Sequence, residues 1–188
     1  AMARTRTRPI PEGRLAPGQA LIFACASSAF GMAILASTNA MTAWLGLATI
    51  LSYTLVYTPL KRITSLCTLV GAIPGALPPL VGYVSVTGAL HEEALVLAMI
   101  LFMWQMPHFF AISWRYRQDY SDGGFPMISV IDNDRGSMTV RQNFVYTFAL
   151  LCASLLPCVL GHAGLLYFMG ALALGVVVAH FRRRLVDT

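Results

Sequence analysis

Charge is what this sequence lacks most. Only 11% of its 188 residues are charged and only eight are acidic, where a soluble domain carries about a quarter charged residues. With 57% hydrophobic residues and a mean hydropathy of +0.67, that deficit excludes an ordinary soluble core. CxxC pairs, internal repeats and low-complexity tracts are missing as well, which sets aside zinc ribbons, solenoids and flexible linkers. The cysteines Cys25, Cys67, Cys152 and Cys158 all fall in apolar stretches and read as small hydrophobic packing residues. The chain opens in a basic, polar segment rather than a signal peptide, and both of its ends are expected to be interior to a longer protein.

What is present is a series of apolar runs, each close to the roughly 20 residues that span a bilayer. Six spans are expected, near 19–37, 41–57, 66–86, 93–112, 143–161 and 164–181. The expectation is therefore all-α: a polytopic transmembrane helical bundle, one domain over 1–188, with a cytoplasmic loop over 113–142. Threaded with the N-terminus inside, all 13 basic residues, from Arg4 to Arg184, fall on one side. The opposite segments, "STNA", "TGALHEE" and "GHAG", contain none. This meets the positive-inside rule and puts both ends in the cytoplasm; the expected location is a bacterial plasma membrane. The net charge of +5 is thus a topology signal and not a sign of nucleic-acid binding.

Three polar clusters share the basic side: "ARTRTRPIPEGR", "YTPLKR" and "WQMPHFFAISWRYRQDYSDGGFPM". Lys61 and Arg62 directly follow a span and Pro59, at a fixed depth, and suit phosphate oxygens. In the third cluster Gln105, His108, Ile112, Arg115 and Asp119 keep helical spacing, as do Trp104, His108, Ala111 and Arg115. His108 lies roughly 10 Å of helix rise below Arg115, where an ionisable group is a functional candidate; a neutral histidine hydrogen-bonded within the bundle is the plain alternative. Asp119 and Asp122 can share a hard cation such as Mg²⁺ with substrate phosphates, although DxxD is common in loops. Asp132 and Asp134 read as loop or cap residues. In the third span Gly71 and Gly75 allow close helix approach, while Pro74, Pro78 and Pro79 are expected to break or bend the helix. These residues reach a membrane protein with a one-sided polar site of acids, bases and phosphate-suited cations, but no substrate.

The run of "ARTRTRP", "YTPLKR", "VGAIPGALPPLVGY" and "WQMPHFFAISWRYRQDY…GGFPM", in this order and spacing, resembles the UbiA-type intramembrane prenyltransferases, and among them the haem branch, the protohaem IX farnesyltransferases (haem O synthases). The resemblance extends from Ala3 to about Arg141. It implies a nine-helix fold around a central cavity, and Mg²⁺-dependent transfer of farnesyl from farnesyl diphosphate to a vinyl group of protohaem IX (haem B). It makes Asp119 and Asp122 the metal residues, Asp119, Lys61, Arg62 and His108 catalytic, and Arg4, Arg8, Tyr57, Trp104, Gln105, Tyr116 and Arg117 substrate-binding. His108 with Trp104 falls in a haem-side "WQxPHF" segment; whether it ligates iron or handles a proton stays open. An apolar cavity walled by Trp104, Phe109, Trp114 and Tyr116 would shield the allylic cation.

Two departures stand out. The family's first acidic motif would lie upstream of Ala1 with about two helices, and one more helix beyond Thr188, so this chain resembles the middle six helices and is expected to be inactive alone. Cys67 stands where the family has asparagine. Expected partners are the bilayer, both substrates and haem-handling membrane proteins. The alternatives are a prenyltransferase acting on an aromatic ring, or a non-enzymatic haem-binding or transport module.

Overall fold

The computed structural model describes residues 5–134 and 136–184, with the side chains of the last helix described as far as Val178. All regular structure among the described residues is helical. Helix α1 (Pro17–Thr38) gives way at Asn39 to α2 (Ala40–Leu51), which continues through a π-helical stretch (Ser52–Tyr57) into α3 (Thr58–Leu60). Then follow α4 (Cys67–Thr87), α5 (Glu92–Arg115), α6 (Arg117–Asp122), α7 (Ile128–Ile131), α8 (Ser137–Val159) and α9 (Leu165–Arg184).

Among the described residues, five helical segments are long and apolar enough to cross a membrane: α1, Ala40–Leu60, α4, α5 and α8. The sixth expected span is α9, whose apolar stretch, Leu165–Val178, is shorter. With no water in the hydrocarbon, side-chain hydroxyls must bond internally. Thr49, Ser52, Thr54 and Ser154 accordingly donate to carbonyls four residues back, at 2.6–2.8 Å.

The long helices pack largely in chain order: α1 on α2, α2 on α4, α4 on α5, α5 on α8 and α8 on α9. The buried positions are mostly small, which suits helices that associate through close approach. One cluster gathers Ala72, Met106 and Phe110; another gathers Leu80, Ala94 and Ala98. α1 buries no residue. The turn at Asn39 is held twice over: its Oδ1 accepts the Thr42 N–H (2.8 Å) and hydroxyl (2.9 Å), and its Nδ2 donates to the Val84 carbonyl (2.9 Å). One side chain therefore caps α2 and ties the first hairpin to the far end of α4.

Of the break or bend expected in the third span, no break occurs: α4 is helical from Cys67 to Thr87 through all three prolines, each of which deletes a single donor. Residues 113–142 are not an open loop: α5 extends to Arg115, α6 and α7 lie within the segment, and α8 begins at Ser137. Polar composition there reflects surroundings outside the hydrocarbon and is compatible with helix.

Candidate functional site

The site is built where α2 ends and α4 begins, beside α6. Pro59 has no N–H, and its ring would meet the carbonyl of Leu55 in a regular helix. The backbone widens into the π turn instead, and the N–H of Thr58 bonds the Tyr53 carbonyl. Such turns recur at functional sites. Here it brings Tyr53 and Tyr57 together, ring centroids 5.1 Å apart, and Lys61 Nζ lies 5.9 Å over the Tyr57 ring. The other constraint on Tyr57 is Gly71, where a Cβ would fall 2.7 Å from two ring carbons. Lys61 is half-buried and Arg62 exposed.

Next to this pair is a chamber of about 190 Å³ lined by Tyr53, Tyr57, Cys67, Thr68, Gly71, Phe109, Ile112, Ser113, Tyr120 and Met127. Cys67 is fully buried, and its Sγ lies 3.9 Å from Met127 Sδ. Two devices hold the 113–129 segment over the chamber. Ser129 donates to the Ser113 carbonyl (2.9 Å), and the two hydroxyls also bond each other, which hooks α7 onto α5. Gly124, at φ +69°, makes a turn that most side chains would strain and folds Phe125 back edge-on to Tyr120, centroids 6.2 Å apart.

Asp119 and Asp122 stand one turn apart on α6, and Asp122 Oδ1 accepts the Gln118 amide at 2.9 Å. Both are hard oxygen donors of the kind Mg²⁺ takes. Among the described residues no group of three His, Cys, Asp or Glu side chains is placed to hold a metal. Two carboxylates alone fit Mg²⁺ if phosphate oxygens and water complete its shell.

The remaining candidates are spread more widely. Trp104 and His108 stack face to face, 5.0 Å between centroids at 13°, and both are exposed. Trp104 lines a second hollow, an apolar cleft of about 610 Å³ between α5, α8 and α9; His108 lines neither. Gln105 is buried in the α4–α5 interface, where its amide donates to the carbonyls of Ala72 (3.3 Å) and Leu101 (3.2 Å) and abuts Gly75. Arg117 stacks on Trp114 at 4.5 Å, Trp114 in turn packs against Gly136, and Arg115 lies 5.8 Å over Tyr116. Arg8 is exposed in the turn segment before α1, and Arg4 lies outside the described residues. Of the four expected wall aromatics, only Phe109 lines the small chamber. Tyr53 and Tyr120 line it instead, and the i, i+4 spacing of Tyr53 and Tyr57 was a legible sign of that for Tyr53.

Asp132 is a cap. Its Oδ2 accepts the Thr139 N–H (2.7 Å) and hydroxyl (2.9 Å), while Asp134 accepts the Ser137 hydroxyl (2.7 Å). Partial burial pushes the Asp132 carboxyl up. The two Thr139 donors, with the backbone N–H groups of Asp134 and Met138, outweigh that and hold it below the usual carboxylate range. A depressed carboxylate stabilises the fold above its unfolded pKa of about 3.9, and the gain is lost as pH falls through the folded value. Asp132→Asn should therefore cost about 0.5–1 kcal/mol at pH 7, and thermal melts in detergent should show that gap closing as the pH falls below about 4.

At the opposite end of the bundle, His162 meets Glu92 at 3.1 Å and Glu93 at 3.7 Å, and Tyr83 reaches both Glu93 (3.3 Å) and His91 (3.4 Å). These contacts pin the α8–α9 turn to the start of α5.

Comparison with known proteins bears on all of this. A protoheme IX farnesyltransferase of Solibacter usitatus is 47% identical over 176 residues, covering 93% of this chain and 60% of the relative. One from Marinobacter nauticus is 43% identical over 187 residues (98% and 61%), and protoheme IX farnesyltransferase 1 of Pseudomonas putida is 44% identical over 177 (93% and 59%). The chain thus spans about 60% of the length of these curated relatives. No solved structure matches it significantly. The UbiA prenyltransferase family signature matches residues 1–188, all of the chain, and the protein belongs to that family.

Proposed function

We propose that the protein acts in the Mg²⁺-dependent transfer of farnesyl from farnesyl diphosphate to a vinyl group of protohaem IX, giving haem O. The observation that carries this reading is the chamber between Lys61–Tyr57 and the Asp119-bearing helix α6, in a chain 43–47% identical to proteins named for that reaction. One end of the site is cationic and acidic, as a metal diphosphate requires; the other is apolar and aromatic, as an isoprenoid requires.

Lys61 and Arg62, with Arg4 and Arg8, would neutralise charge on the departing diphosphate where it grows in the transition state. Mg²⁺ held by Asp119 and Asp122 would add Lewis-acid neutralisation of the same oxygens. The chamber walls exclude water from the allylic end until the vinyl group arrives. His108 and Trp104 would contact the macrocycle on the membrane side, His108 as an iron ligand or a proton carrier. The basic end would face the cytoplasm from a bacterial plasma membrane, with haem-handling membrane proteins as partners.

Membranes bearing the product of the source gene, supplied with labelled farnesyl diphosphate, protohaem IX and Mg²⁺, are expected to form a haem heavier by one farnesyl and one hydroxyl group. Chelation of Mg²⁺ should stop the reaction. Label transferred to a quinone precursor and not to haem would overturn the substrate assignment.

A further inference from the structure

The end of the bundle remote from Lys61 and α6 carries a second group of titratable side chains, which the site described above does not use. The segments there, "STNA", "TGALHEE" and "GHAG", hold no lysine or arginine, so only histidine can supply positive charge. His162 follows α8 through a tight glycine turn. Gly161 has φ +80°, its N–H bonds the Cys158 carbonyl (3.1 Å), and the His162 N–H bonds the Pro157 carbonyl (2.8 Å). This paired closure is the Schellman arrangement. It presents the imidazole at a fixed place beyond the C-terminus of α8, while Glu92 and Glu93 occupy the first turn of α5. Helix ends favour a cation at the former and anions at the latter.

Both ring nitrogens of His162 face carboxylates: Nε2 lies 3.1 Å from Glu92 Oε1, and Nδ1 lies 3.7 Å from Glu93 Oε1. A neutral imidazole carries a proton on one nitrogen only and turns a lone pair toward the second carboxylate, whereas the cation presents a donor to each. The other titratable neighbours are Tyr83 of α4, whose hydroxyl donates to Glu93 (3.3 Å), and His91 before α5, 3.4 Å from the same hydroxyl. Tyr83 thus steadies Glu93 from the far side. The His162 side chain is about a third exposed, so protons reach it from solvent.

What this contact holds is the position of α9. That helix packs on α8, with Leu151 seated against Gly175, and it faces α5 across the apolar cleft of about 610 Å³. Leu97 and Tyr167 line the cleft, and Leu97 is roughly 7.5 Å of helix rise from Glu92. The His162 tie therefore sits at one mouth of the cleft.

We propose that His162 is a pH-operated latch: protonated, it holds the α8–α9 turn against the start of α5 and keeps that mouth narrow; neutral, it releases the turn and the mouth widens. The inference does not depend on which group is transferred or to what. The tie is complete while the ring is cationic and loses a donor as pH rises through the histidine range, about pH 5–8. In the orientation proposed above, the latch faces away from the cytoplasm.

The test uses the full product of the source gene in lipid nanodiscs, with bioorthogonal nitroxide labels at Leu95 of α5 and Leu166 of α9, both exposed. Pulsed electron double resonance measures their separation at about pH 5.5, above the ordinary carboxylate range, and at about pH 8.5. In the wild type the ratio of short to long separations should fall by about two- to fivefold at the higher pH. His162→Gln should show the high-pH distribution at both values, and His91→Gln should respond as the wild type does. Glu92→Gln combined with Glu93→Gln should also lose the response, and it carries the test should His162→Gln fail to fold. A wild-type distribution unchanged by pH, a response that survives in His162→Gln or in the double glutamine variant, or one that vanishes in His91→Gln would each overturn the latch.

Discussion

Asp119→Asn is expected to reduce farnesyl transfer by at least about 10²–10³-fold while leaving haem affinity within about twofold. The substitution keeps the side chain's size and removes its charge, so α6 should fold unchanged. The loss falls on a hard ligand: an amide oxygen is a much poorer partner for Mg²⁺ than a carboxylate when only two carboxylates, Asp119 and Asp122, are at hand on α6. Haem affinity is the control, because the macrocycle is assigned to the Trp104–His108 side and not to α6. The measurement pairs a transfer assay with spectroscopic haem titration of the same preparation. Retained turnover would remove Asp119 from the metal–diphosphate role. Parallel loss of haem binding would point instead to a general collapse of the 113–136 segment.

Lys61→Met should cost about 10²–10³-fold in kcat/KM, with part of the loss in KM. Methionine preserves the stem that lies along Tyr57 and deletes only the ammonium group. The charge sits at a fixed depth, because Lys61 bonds through its N–H to the Tyr57 carbonyl at 3.0 Å and its Nζ is over the Tyr57 ring. On the proposed function, a preorganised cation at that point would pair with charge that develops as the diphosphate leaves, and would act on the transition state more than on the bound substrate. Arginine should restore only part of the activity, since its planar fork does not reproduce a compact ammonium. Steady-state kinetics with varied farnesyl diphosphate separate the two components. A variant with unchanged kcat and KM would show that Lys61 is a membrane-surface charge alone.

That Asp119 and Asp122 stand one turn apart and that Lys61 and Arg62 follow Pro59 was legible in the sequence, because spacing within a short motif is local. The aromatic wall was not. Trp104, Phe109, Trp114 and Tyr116 lie close together in sequence, which suggested a shared cavity, yet helical geometry sends them to different neighbours: the large cleft, the small chamber, Gly136 and Arg115. Gln105 shares the helical spacing of His108 but is buried, held by an α4 carbonyl. Nothing in the local sequence states that Gly75 leaves space for it. Likewise, the polar stretch 113–142 read as loop, because polarity marks departure from hydrocarbon and does not mark departure from helix.

By itself the sequence determined that the chain is a membrane helical bundle, since long apolar runs have no other way to satisfy their backbone in lipid, and that its cations gather at one end. It also placed the parting of α1 and α2 within "STNA" and read Asp132 and Asp134 as loop or cap residues. Only the tertiary structure decided which groups surround one chamber. Tyr53, Cys67, Phe109, Tyr120 and Met127 come from five separate helical or turn segments, and their meeting depends on a π turn before Pro59, a glycine face on α4 and the Ser113–Ser129 hook. Spacing along one helix fixes which side chains share a face. Which face meets which neighbour is set by packing between helices far apart in the chain.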